Sequence, residues 1–255
     1  MFNNIFNIEK KITNPNKILF ISPPFGNYFT FLPNTVPIRG SFTLKERKGK
    51  WMQILKTLRY IPLLNGWVNK IGLRNPGIDY AIRTYKKGEI ISIAIMEKKD
   101  IKLISEKIPD DMDIELNVSC PNTDKHLINS GLKLFLNEKR KWCIIKLPPI
   151  NFKNELDRFY KEGFRQFHIS NTLPIKYGGL SGPSLIPYNV KNIKYIRSFY
   201  KDSIIIAGGG IRHIKNINLY EELGANHFSV SSICFNPILF ANLYYEFCKK
   251  ITLKS

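Results

Sequence analysis

Cys120 lies in the stretch of the chain that is richest in chemically useful side chains. Residues 115–123 read Glu-Leu-Asn-Val-Ser-Cys-Pro-Asn-Thr and end an apolar strand pattern in a polar turn. The proline after Cys120 and the amides of Asn117 and Asn122 predict a loop that holds a thiol beside hydrogen-bonding groups. Such a thiol can act as a base if its pKa is lowered. A buried apolar cysteine is the alternative, and the rest of the chain decides between the two.

A single charged residue, Lys146, closes an otherwise apolar run. Residues 144–149 read Ile-Ile-Lys-Leu-Pro-Pro, which puts an ammonium group at the end of a predicted strand. An unpaired charge there would be costly, so Lys146 needs an anionic or electron-rich partner. The alternative is a lysine that extends from the rim into solvent.

Three glycine- or serine-rich turns follow one another late in the chain. They are residues 177–183 (Tyr-Gly-Gly-Leu-Ser-Gly-Pro), 207–211 (Ala-Gly-Gly-Gly-Ile) and 230–232 (Val-Ser-Ser). Glycine turns before helices can bring backbone N–H groups close to a phosphate, although they also serve as plain tight turns. Three in succession favour a phosphorylated cofactor.

These residues follow predicted strands that alternate with helical segments. The eight β-rich runs are 18–22, 36–43, 89–95, 113–118, 142–147, 165–170, 203–207 and 226–231. The alternation predicts an α/β fold, a (β/α)8 TIM barrel that occupies 1–255 as a single domain. Only about a dozen residues, several of them proline or glycine, separate the first two runs, so the first βα unit is expected to be reduced. The polar strand ends then meet on one catalytic rim.

Composition narrows the choice of partners and compartment. The formal charge of +19 is spread over nearly every predicted helix, which indicates a solvated basic surface and no nucleic-acid partner. The four cysteines have no CxxC pairing or metal-site spacing. Without an integral membrane segment or a signal sequence, a cytoplasmic protein is expected. Among the histidines, His168 is expected to be a core residue, and none is assigned a role.

Several motifs in order resemble the dihydroorotate dehydrogenase family. The motifs are Gly-Leu-Arg-Asn-Pro-Gly at 72–77, Asn-Val-Ser-Cys-Pro-Asn-Thr at 117–123, Ile-Lys-Leu-Pro at 145–148, Ser-Asn-Thr at 170–172, the glycine turns at 178–183 and 209–211, Gly-Ala at 224–225, and Ser-Ser at 231–232. The resemblance implies an FMN-containing barrel that oxidises dihydroorotate to orotate in pyrimidine biosynthesis.

The resemblance also implies a role for each matching position. Cys120 would be the base, taking the C5 proton while hydride passes from C6 to flavin N5. Substrate would be held by Asn75, Asn117, Asn122, Asn171 and Thr172. The cofactor would be bound by Ser41, Asn117, Lys146, Ser170, Gly182, Gly209, Gly210, Ser231 and Ser232.

The chain also departs from the family pattern. The active-site lysine expected after the first strand or at the end of the second is absent from 22–27 and 39–41, with Arg39 or Lys45 as candidate substitutes. The loop 172–178, part of the expected lid, is short. Cys120 resembles the soluble, commonly dimeric branch, whereas Thr123 and the Gly-Ser-Phe-Thr at 40–43 resemble the quinone-reducing branch. The electron acceptor therefore stays open among fumarate, NAD through a partner subunit, and a quinone.

Two other readings remain. A tRNA dihydrouridine synthase would make use of the positive charge, but the asparagines around Cys120 match dihydroorotate recognition better. A flavin-binding protein that has lost catalysis together with the lysine is the other alternative.

Overall fold

The computed structural model describes residues 17–118 and 131–253, in which twelve strands form two sheets. The strands are β1 (Leu19–Ile21), β2 (Thr35–Phe42), β3 (Arg59–Ile61), β4 (Gly66–Asn69), β5 (Ile90–Ile93), β6 (Ile114–Asn117), β7 (Cys143–Leu147), β8 (Gln166–Ile169), β9 (Leu173–Ile175), β10 (Gly178–Ser181), β11 (Ile204–Gly208) and β12 (His227–Val230).

Eight of these strands close into a parallel barrel in the order β1-β12-β11-β8-β7-β6-β5-β2. Each overlaps one of the eight predicted runs, so the predicted (β/α)8 fold is confirmed. The α-helices in the described residues are α1 (Lys50–Thr57), α2 (Ile78–Arg83), α3 (Lys98–Lys107), α4 (Phe152–Lys161), α5 (Ile186–Phe199), α6 (Ile214–Glu222) and α7 (Pro237–Leu253). Between β1 and β2 there is only the 3-10 turn Phe25–Asn27, as expected for a reduced first unit.

The barrel interior consists of two layers with opposite character. Strand residues alternate between the two faces, so every second side chain points inward. The lower, apolar layer is Phe20, Ile38, Ile90, Trp142, Ile144 and Ile206. The upper layer, nearer the C-terminal strand ends, is buried and polar, and comprises Ser22, Ser92, Glu115, Lys146, His168 and Ser229. The apolar layer fills the base of the barrel, so polar chemistry is confined to the C-terminal end.

A small antiparallel sheet of order β3-β4-β10-β9 lies over that end. Trp67 of β4 stacks on Phe235, which follows β12, at a ring separation of 4.3 Å. Arg212, after β11, donates to the side chain and the backbone carbonyl of Asn65 at 2.6 and 2.7 Å. This sheet was not predicted. It includes the short loop 172–178, which is therefore built into a covering structure.

His227 in the apolar base makes barrel stability depend on pH. Its ring packs against Trp142 at 5.5 Å, and its Nδ1 accepts a hydrogen bond from the backbone N–H of Ile18 at 3.2 Å. Burial, together with the charges of Lys17 and Lys141, lowers the pKa of His227 to about 4. The unfolded chain binds this proton near pH 6.5. Stability from His227 is therefore present above about pH 6.5 and is lost as pH falls toward 4.

The variant His227→Asn should show a weaker loss of stability over this range, because it keeps an acceptor for Ile18 but cannot titrate. Thermal unfolding followed by circular dichroism at pH 7.5 and pH 5 checks this. His213→Asn, at the start of α6 on the surface, controls for loss of a histidine as such. Equal pH dependence of His227→Asn and the parent protein would contradict the prediction.

Candidate active site

A cavity of about 320 Å³ lies between the polar layer of the barrel and the small sheet. This volume is within the range of small-molecule and cofactor sites. Apolar side chains that include Phe25, Ile54, Trp67 and Phe235 form much of its wall. Lys146, His168 and Ser229 of the polar layer belong to its lining. The cavity therefore joins an apolar wall to a polar floor.

Glu115 is the centre of the polar floor. Its Oε2 atom is 2.6 Å from Nδ1 of His168, and its Oε1 atom accepts a hydrogen bond from Ser92 at 2.8 Å. Lys146 Nζ is 3.8 Å from Oε1. Burial alone would raise the pKa of Glu115, but Lys146, His168 and Ser92 outweigh it and lower the pKa to about 2. Glu115 is therefore ionised at neutral pH.

His168 stays neutral in this network. Burial lowers its pKa first and the positive charge of Lys146 lowers it further, against the opposing effect of Glu115. The expectation of a core histidine is met in its burial, yet His168 also lines the cavity. Lys146 has the anionic partner that the sequence required, and only 11% of its side chain is exposed. Sequence reasoning missed Glu115, although a carboxylate within the apolar run of β6 was a usable signal.

Amide side chains form a second polar group next to the floor. Asn117 donates to Ser41 Oγ at 3.0 Å, and Asn171 donates to Asn117 Oδ1 at 3.2 Å. The Oγ atom of Ser41 lies 2.9 Å from Oγ of Ser92. Because Ser92 donates to Glu115, this contact connects the amides to the Glu115 carboxylate. Asn171 and Thr172 line the cavity. The structure thus brings together three predicted site residues, Ser41, Asn117 and Asn171. Cys120 and Asn122 lie outside the described residues.

Asn75 is engaged within its own loop. Its Oδ1 atom accepts from the backbone N–H groups of Thr43 and Gly77, and its Nδ2 atom donates to Thr43 Oγ1 and to the Leu73 carbonyl. Both donors and the acceptor are therefore occupied, and Asn75 is not among the residues that line the cavity. Its assignment to substrate binding stays a prediction.

The glycine turn after β11 is fixed by buried side chains behind it. Asn189 of α5 donates to the Gly208 carbonyl and accepts from Ser170 Oγ at 2.8 Å, while the Tyr220 hydroxyl donates to the Gly209 carbonyl at 2.8 Å. Gly209 and Gly210 have φ values of 80° and 79°, which favour glycine. Asn189 and Tyr220 carried no functional signal in the sequence.

The predicted phosphate-binding residues occupy one side of the cavity. Gly209, Gly210, Ser231 and Ser232 line it, with Ser231 Oγ donating to the Pro23 carbonyl at 2.8 Å. Gly182 does not line it: a side chain there would meet the Asn65 carbonyl at 2.9 Å, so this glycine serves close packing against the small sheet. A direct phosphate contact by Gly182 stays a prediction.

Neither candidate substitute for the missing lysine lines the cavity. Arg39 is buried, with its Nη1 atom 2.8 Å from Oε2 of Glu89 and donating to the Thr84 carbonyl at 2.8 Å. Lys45 is exposed. Lys50, at the start of α1, does line the cavity, as does Lys146. No carboxylate is among the described lining residues, so the cavity is suited to an anionic ligand.

The donor set fits FMN. A flavin phosphate matches the glycine turn with Ser231 and Ser232, and the flat ring system matches the apolar wall and the Lys146 charge. The described residues contain no group of three or more His, Cys, Asp or Glu residues that could hold a metal ion. Among them, no helix has the length and apolar character needed to cross a membrane.

A barrel with a cationic, cofactor-sized cavity at the C-terminal strand ends is the architecture of a (β/α)8 enzyme. No model of a known protein family matches the sequence. The chain is 31% identical to dihydroorotate dehydrogenase B (NAD(+)), catalytic subunit, of Petrotoga mobilis, in an alignment that covers 92% of this chain and 88% of the relative. The chain belongs to the dihydroorotate dehydrogenase family, whose members are oxidoreductases.

Other relatives agree with this placement. The protein of the same name from Staphylococcus carnosus is 28% identical, with 69% of this chain and 68% of the relative covered. Ligand-free DHODH from Eimeria tenella superposes with a TM-score of 0.72 at 17% identity, covering 97% of this chain and 90% of that structure, which shows the same fold.

Proposed function

We propose that this protein oxidises dihydroorotate to orotate with FMN, in pyrimidine biosynthesis. The observation that carries the proposal is the juxtaposition of the Lys146 ammonium with amide side chains beside a ring-sized cavity that has no carboxylate among its described lining residues. Dihydroorotate has a carboxylate and ring amide groups, which require a positive field and paired donors and acceptors. The names of the relatives point to the same substrate.

Each part of the site then has a task. The phosphate is held by Gly209, Gly210, Ser231 and Ser232, with Gly182 behind them. The flavin ring is contacted by Ser41, Lys146 and Ser170. The substrate is held by Asn117, Asn122, Asn171 and Thr172. Asn75, whose amide is bonded within its own loop, would have to exchange one of those hydrogen bonds to join them. Cys120 takes the C5 proton, and FMN, when bound, supplies the acceptor for the C6 hydride.

The names of the relatives support one of the three candidate electron acceptors. The relatives are named as catalytic subunits of an NAD(+)-linked enzyme, which favours transfer to NAD through a separate subunit over fumarate or a quinone. Orotate formation by the isolated chain should be slow with NAD(+), with fumarate and with a soluble quinone alike, because the separate subunit is absent. Rapid turnover with fumarate or quinone alone would contradict it.

Anaerobic addition of dihydroorotate should bleach the flavin absorbance of the FMN-loaded protein, with one orotate formed per flavin. The physical reason is that two electrons leave each substrate molecule and can only reside on the cofactor when oxygen is excluded. Orotate itself is the matched control and should leave the flavin oxidised. A flavin that binds but stays oxidised with dihydroorotate would support the non-catalytic alternative. Salt-sensitive tRNA binding would support a dihydrouridine synthase.

A further inference from the structure

We propose that His168 is a ligand-binding residue whose Nε2 atom accepts a hydrogen bond from a hydroxyl group on the chain that joins the flavin ring to its phosphate. Glu115 acts as a positioning residue by fixing the tautomer of His168. The inference rests on the proposed FMN site.

The Glu115 carboxylate determines which nitrogen of His168 carries the proton. Oε2 of Glu115 lies 2.6 Å from Nδ1 of His168 and, as a carboxylate oxygen, can only accept. Nδ1 therefore holds the proton, and Nε2 presents a lone pair. Because Ser92 donates to the other carboxylate oxygen at 2.8 Å, the orientation of Glu115 is fixed as well.

The second nitrogen of His168 is an acceptor at the cavity. His168 is 2% exposed and belongs to the lining, and its Nε2 makes no hydrogen bond to a described residue. A Cβ atom on Gly208 would lie 2.8 Å from Nε2, so the missing side chain of Gly208 leaves room for the ring. Nε2 is not among the buried side-chain atoms that lack a partner, so it is reached from the cavity, where a bound ligand can donate to it.

The position of His168 indicates which part of the ligand donates. Nε2 is next to Gly208, which directly precedes the Gly209–Gly210 turn on the phosphate side. The Asn117 and Asn171 amides connect through Ser41 and Ser92 to Glu115, which is bonded to the Nδ1 edge of the His168 ring and not to its Nε2 edge. In FMN the segment between phosphate and ring is a hydroxylated chain, and a hydroxyl is a donor that matches a bare imidazole nitrogen.

Side-chain ¹⁵N NMR of the histidines in the parent protein tests the proposal. The chain has four histidines, so His168 can be assigned through a His168→Gln spectrum. The protein is compared without ligand and with lumiflavin, riboflavin and FMN, which add the hydroxylated chain and then the phosphate. Riboflavin and FMN should shift Nε2 in the direction of hydrogen-bond acceptance, whereas lumiflavin should not. Binding of FMN with unchanged His168 nitrogens would overturn the inference alone. Absence of all flavin binding would overturn the proposed function with it.

The variant Glu115→Gln provides a second, independent test. Ser92 and Lys146 favour the amide oxygen on their side, so the amide NH₂ faces Nδ1 and moves the imidazole proton to Nε2. In the ¹⁵N spectrum of this variant Nε2 should then appear as a protonated nitrogen, and riboflavin should no longer shift it in the direction of hydrogen-bond acceptance. A role of Glu115 that is only structural would leave Nε2 an acceptor in the riboflavin complex. Glu89→Gln, at the buried Arg39 pair outside the cavity, is the matched control and should give the same Nε2 shift as the parent protein.

Discussion

Replacing Glu115 by leucine is expected to lower the free energy of unfolding by about 3–5 kcal/mol, because removing one partner of a buried ion pair leaves the other charge uncompensated. The Glu115 side chain is 0% exposed and that of Lys146 is 11% exposed, so little solvent is available to stabilise the remaining ammonium. His168 would also lose its acceptor at Nδ1. Urea unfolding of the flavin-free protein at pH 7 measures the change.

The double variant Glu115→Leu/Lys146→Met separates charge from packing. Replacing both members of a buried pair by apolar residues is often neutral or stabilising, so the double variant should recover most of the lost stability. Its affinity for FMN should nevertheless be lower than that of the parent, because the floor has lost its cation. A double variant that is less stable than Glu115→Leu would show that the pair itself contributes net stability.

The barrel was predictable because its strands are short apolar runs at regular spacing, with polar residues at their ends. The alternation of side chains along β2 also predicts the direction of the Arg39 side chain. Ile38 points into the barrel, so Arg39 must point outward, where it meets Glu89. The alternation of β2 alone therefore predicts that the Arg39 side chain points away from the barrel interior and cannot replace the missing lysine there.

Other features depend on contacts that no local pattern contains. Glu115 and His168 are 53 residues apart in sequence and lie on strands separated by β7, so they meet only through the closed interior. The small sheet has strands of three or four residues, too short to show an alternating pattern. The family resemblance assigned Asn75 to substrate binding, but only the folded loop shows that its amide is already bonded.

Replacing Cys120 by alanine should leave FMN binding unchanged and slow anaerobic flavin reduction by dihydroorotate by about 10²–10⁴-fold, the usual contribution of a general base. Cys120→Ser should retain part of the rate, with its optimum moved to higher pH, because a hydroxyl loses its proton less readily than a thiol. Stopped-flow absorbance from pH 6 to pH 10 follows both variants. Flavin content, measured first, separates loss of cofactor from loss of the base.

Cys143 provides the matched control for removal of a thiol. Burial raises its pKa to about 12, and its Sγ donates to the Phe135 carbonyl at 3.5 Å in the core. A thiol held protonated in this way cannot take a proton from a substrate, so Cys143→Ala should alter stability but not the rate of flavin reduction. If Cys120→Ala also reduces the flavin at the parent rate, another group takes the C5 proton, and the amide cluster of Asn117 and Asn171 would serve binding alone.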